Sequence, residues 1–60
     1  MCLADVVLVD TNEVLMTNTS EVQVDKDTLS FRDLFGQTLT IQGSIVAADF
    51  EKNRMIVKKN

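Results

Sequence analysis

The chain has 60 residues, with nine acidic against six basic side chains and no histidine, for a formal net charge of −3. So short a chain makes one domain, residues 1–60, and buries only about 60% of its unfolded surface, so it leans on a staple such as a metal or a partner subunit. An apolar fraction of 45% argues against disorder, one cysteine rules out an internal disulfide, and the acidic balance disfavours nucleic acid, which draws on a basic face.

The pattern reads as strand nearly throughout, because Val, Ile and Thr are abundant and short apolar runs alternate with turn-rich clusters. Leu3 to Val9 sets Ala4, Val6 and Leu8 on one face and Val7 and Val9 on the other, so both faces are expected to be covered, by the core and by a partner. Asp10-Thr11-Asn12 supplies a turn, and Glu13 to Met16 forms a second short strand that Asn18-Thr19-Ser20 breaks. Glu21 to Asp25 resumes with Val22 and Val24 alternating, Asp25-Lys26-Asp27 makes a hairpin tip, and the chain returns through Leu29 and Phe31. Leu34-Phe35-Gly36-Gln37 is a further turn, with Gly36 free to take a positive φ.

Thr38 to Phe50 is too long for one uninterrupted strand in so small a domain, so Gly43 is expected to mark a bulge or bend that lets the strand serve two sides of a barrel. Glu51-Lys52-Asn53 closes the last hairpin, and Arg54 to Lys58 runs home with Met55 and Val57 opposite Ile56. Together these elements predict an all-β fold, a small antiparallel barrel of six to seven short strands. No segment approaches the roughly 20 apolar residues of a membrane span. Asp5 interrupts the opening apolar stretch, so the start lacks the character of a secretory leader and a cytoplasmic location with a reduced Cys2 is expected.

The chemistry concentrates at Cys2. The amine of Met1, the amide nitrogen of Cys2 and the Cys2 thiolate lie in sequence so that adjacent donors close five-membered chelate rings. Ni(II) and Cu(II) accept such planar nitrogen and sulfur donors. If Met1 is removed, the Cys2 amine and thiolate make a bidentate clamp that two subunits would complete. A two-fold axis near the N-termini duplicates every ligand without further sequence. Zinc is less suited, because it prefers four tetrahedral side-chain ligands and no histidine is present. Against all of this stands the ordinary habit of a lone cysteine near a strand start, which is to be a small buried hydrophobe.

Other groups carry less. Asp25 and Asp27 have the composition of a solvated turn, Met16 and Met55 sit at apolar strand positions, and Asp33, Asp49 and Glu51 come with neither nucleophile nor histidine to make a catalytic set.

The opening Met1-Cys2-Leu3-Ala4 with the strand Val6-Val7-Leu8 resembles the start of the CooT family of small nickel-binding proteins. Asp33-Leu34-Phe35-Gly36 leading into a strand, Gly43 within the next run and the closing hairpin extend the resemblance over essentially the whole chain. It implies a homodimeric β-barrel that binds Ni(II) through Cys2, with Met1 and Cys2 nitrogens as further donors, and that helps supply nickel to carbon monoxide dehydrogenase. The expected partners are a second copy and a nickel enzyme or its maturation machinery. The alternative from the residues is a small RNA- or protein-binding module in which Cys2 is only packed.

Overall fold

The computed structural model describes residues 3–60 and is built entirely of strands joined by turns. There are five of them: β1 (Ala4–Leu8), β2 (Val14–Asp25), β3 (Thr28–Asp33), β4 (Thr38–Asp49) and β5 (Arg54–Lys59). They close into a barrel in chain order. Each of the four connections between successive strands reverses direction, so β5 must run the same way as β1. The closing pair is accordingly parallel, Asp5 with Arg54 through Leu8 with Val57, while the other four pairs are antiparallel.

The expectation of six to seven strands, all antiparallel, is corrected by the behaviour of β2. Asn18-Thr19-Ser20 does not break the strand. Asn18 takes φ 54°, a left-handed conformation that asparagine tolerates better than most residues. The ladders to β1 and β3 both slip there, between Ala4 and Val6 on one side and between Thr19 and Glu21 on the other. The polar triplet is thus a bulge, which adds twist and bends the strand without ending it. With five strands, an odd number in chain order, parity alone makes the closing pair parallel.

β4 does what its length required. Thr38–Gln42 pair with β3, whereas Gly43–Asp49 pair with β5. Gly43 is the corner because no side chain fits there: a Cβ would strike the Lys58 carbonyl oxygen and lie 3.0 Å from the Lys58 carbonyl carbon and 3.1 Å from Lys59 Cα. The slip in the ladder comes three residues later, where Val46 is the extra residue between Ile45 and Ala47.

Inside the barrel Val6, Leu29, Phe31, Ile41 and Val57 form the core, with Leu15, Met16, Val22, Leu39 and Met55 among the half-buried side chains around it. Leu29 and Phe31 face inward together because strand side chains alternate. Val7, on the other face of β1, is buried too, at 5% exposure, so β1 is covered on both faces where Val6 and Val7 sit. Lys26 at φ 56° and Asp27 make the β2–β3 connection inside the paired Asp25 and Thr28. At the β3–β4 turn Gly36 takes φ 86°, and one carboxylate oxygen of Asp33, Oδ1, accepts from the amides of Phe35 at 2.9 Å and Gln37 at 2.8 Å.

Candidate functional site

Met1 and Cys2, the predicted metal ligands, lie outside the described residues. Among the described residues no group of three or more histidine, cysteine, aspartate or glutamate side chains could hold a metal ion. No helix is long and apolar enough to cross a membrane. Two of the three carboxylates named as conceivable acid–base partners, Asp33 and Asp49, have structural work instead. Asp33 closes the β3–β4 turn, and Asp49 Oδ1 accepts from the amides of Glu51 at 3.1 Å and Lys52 at 3.2 Å in the β4–β5 turn.

What the fold does build is a cleft beside the first described residues. Both long strands change partners midway, so each leaves one edge free beyond the change. On β2 the stretch Glu21–Asp25 is paired to β3 alone, and on β4 the stretch Ser44–Asp49 is paired to β5 alone. A cleft of about 380 Å³ opens there, with Ala4, Val6, Val22, Ala48 and Met55 among its lining and Phe50 beside them. Phe50, in the turn after β4, is 87% exposed, the most exposed large apolar side chain of the described residues.

Thr19 also lines this cleft and sits opposite Ala4 in the β1–β2 ladder. The bulge turns it inward, to 7% exposure, and its Oγ1 has no hydrogen-bond partner among the described residues. A buried hydroxyl without a partner loses its hydration with no return, at a cost of about 1–3 kcal/mol. Sequence reasoning missed it, because a threonine between Asn18 and Ser20 reads as a polar turn residue and only the bulge points it inward. Arg54, Glu21 and Asp49 supply the charge around the cleft. Glu21 Oε1 is 3.6 Å from Arg32 Nε, in a pair exposed enough to hold little energy. Arg54 has no such partner among the described residues. A second depression, of about 260 Å³, lies against Val14–Thr17, and there the buried polar neighbour, Asp33, is already satisfied.

Comparison with known proteins adds to this geometry. The sequence model of the family described as CO dehydrogenase accessory protein CooT matches residues 1–58. A crystal structure assigned to CooT from Carboxydothermus hydrogenoformans is similar with a TM-score of 0.90 and 20% identity, over 98% of this chain and 98% of that one. At that identity the likeness speaks for the fold alone. No curated protein sequence matches the chain.

Proposed function

The chain belongs to the CooT family, the CO dehydrogenase accessory proteins, and from that membership we propose that it is a nickel carrier serving the maturation of a nickel enzyme such as carbon monoxide dehydrogenase. In this reading the protein catalyses nothing itself and works in the cytoplasm as a homodimer. One Ni(II), the cargo, is held by Cys2 of each copy together with nitrogen donors from Met1 and Cys2. The observation that carries the reading is the extent of the family match: it runs from residue 1 and so takes in Cys2, the only thiol of a chain without histidine.

Ligands at a chain start suit a carrier, because the ion can leave by stepwise ligand exchange. Uptake releases protons, since the thiol must lose one and the amine binds only when unprotonated, so affinity falls as the solution is acidified.

The test is a titration of Ni(II) into the wild type and Cys2→Ser under reducing conditions, following thiolate-to-nickel absorption and counting ions by native mass spectrometry. One ion per wild-type dimer and none in the variant is the expected result. Equal, weak binding by both would sink the nickel reading.

A further inference from the structure

We propose that Asn53 is a positioning residue for the nickel ligands: its backbone carbonyl pins the chain at Asp5 and so confines Cys2. This rests on the carrier reading above and names what holds its ligand set in place.

The two flanks of β1 are fastened differently. Toward β5 the ladder runs without a slip from the Asp5–Arg54 pair to the Leu8–Val57 pair. At its two ends the Asp5 amide donates to the Asn53 carbonyl and the Val9 amide to the Val57 carbonyl, each at 2.9 Å. Toward β2 there are three pairs, with slips on both sides of Val6. Ala4 does face Thr19, yet that ladder breaks at the next step. The unbroken hold on the start of β1 therefore begins with the bond from Asp5 to Asn53.

The β4–β5 turn presents this carbonyl in a fixed place. Asn53 takes φ 52°, in the left-handed region. The turn before it is held by Asp49 Oδ1, which accepts from the amides of Glu51 and Lys52. Asn53 is half-buried although Glu51, Lys52 and Arg54 beside it are exposed, and it lines the cleft together with Ala4. Asparagine tolerates the left-handed conformation better than most residues, alanine adopts it at a cost, and glycine does so without steric strain.

Reach supplies the magnitude. Cys2 precedes Asp5 by three residues, so with Asp5 fixed its Cα stays within about 11 Å of that point. Released there, the chain is next held at Val6, four residues from Cys2, and the reach grows to about 14 Å. The volume open to a thiol grows as the cube of the reach, here about 2.4-fold. In the homodimer reading two thiols must each find the ion, so their joint presence at it falls about sixfold.

The experiment compares Asn53→Ala with Asn12→Ala. Asn12 also takes a left-handed φ, 60°, and lies past the opposite end of β1, where its amide donates to the Leu8 carbonyl. Both changes force alanine into the same conformation, so both are expected to lower the melting temperature alike. Nickel affinity, from competition with a chelator of known strength under reducing conditions, should separate them. Asn53→Ala should raise the Kd about sixfold, Asn53→Gly should restore it, and Asn12→Ala should leave it within about twofold of the wild type. The thiolate-to-nickel absorption at saturation should be the same in all, because the ligands themselves are unchanged. Amide hydrogen exchange of the metal-free proteins reads the pin directly. In Asn53→Ala the Asp5 amide should exchange about tenfold faster while Val9 keeps its rate, and in Asn12→Ala Asp5 should exchange as in the wild type.

An equal loss of affinity in Asn53→Ala and Asn12→Ala would overturn the role, because general destabilisation would then account for both. So would unchanged affinity in Asn53→Ala with uptake still dependent on Cys2, which keeps the carrier and removes the pin. Were Asn53→Ala to unfold, exchange in the wild type decides: a protected Asp5 amide supports the pin, and one as fast as in an unfolded chain refutes it. Equal uptake by the wild type and Cys2→Ser sinks the carrier reading, and this role with it.

Discussion

Thr19 and Asp33 face each other across the β2–β3 ladder, and each keeps 7% of its surface exposed. Their hydrogen bonding could hardly differ more. Asp33 accepts from two backbone amides and stitches the β3–β4 turn to the end of its strand, while the enclosed Oγ1 of Thr19 has no hydrogen-bond partner among the described residues. Equal burial therefore conceals two uses of a polar group. One is spent holding a turn, and the other is enclosed without a bond among the described residues. An unpaired buried hydroxyl is a cost the isolated chain carries, and for a domain whose whole stability is roughly 3–9 kcal/mol by its length, that cost is not small.

The contrast can be attacked from its strong side first. Asp33→Ala removes one oxygen that takes two charge-assisted bonds and should cost about 3 kcal/mol in urea unfolding. Because both bonds end on the same Oδ1, Asp33→Asn retains an acceptor and should cost only about 1 kcal/mol. A full loss with asparagine would mean that charge, rather than geometry, holds the turn.

The β4–β5 turn offers a milder copy of the motif. Asp49 makes the same kind of bonds, longer and more exposed, so Asp49→Ala should cost about 1 kcal/mol on the same assay. A cost equal to that of Asp33→Ala would show that burial does not separate the two turns.

The smallest effect is the most telling. Thr19→Val keeps the shape and deletes the unpaired hydroxyl, so the monomer should melt at the same temperature or higher, by up to about 1 kcal/mol. A clear loss of stability would show that Thr19 is satisfied after all and would erase its difference from Asp33.

Much of this architecture was legible in the residues. The apolar alternation of Leu29 and Phe31, the Asp25-Lys26-Asp27 tip and the length of the run from Thr38 to Phe50 around Gly43 were enough to place β3, its hairpin and the two-sided strand. The strand count was not. Asn18-Thr19-Ser20 has the composition of a turn, and whether such a triplet ends a strand or bulges within it depends on neighbours that supply the missing pairing, here β1 on one side and β3 on the other. The cleft was invisible for the same reason, since its walls meet only when β2 and β4 have each changed partner. Cys2 could be singled out by chemistry alone, as the only thiol, yet it lies outside the described residues.

The parallel seam between β1 and β5 decides where a handle can be attached. Strands that run side by side in the same direction begin at one rim of the barrel and finish at the other. Asp5 lies beside Asn53 near the cleft, whereas Asn60 donates its amide to the Gln42 carbonyl beyond the far end of β5. A six-strand meander would have returned the chain to the rim it started from. Here an affinity tag, a surface tether or a fluorescent fusion joined after Asn60 would stand about 20 Å from Ala4, at the usual rise of an extended strand. Immobilisation through that end leaves the rim that carries Ala4 and the cleft facing solution, so binding there can be followed on a chip or a bead.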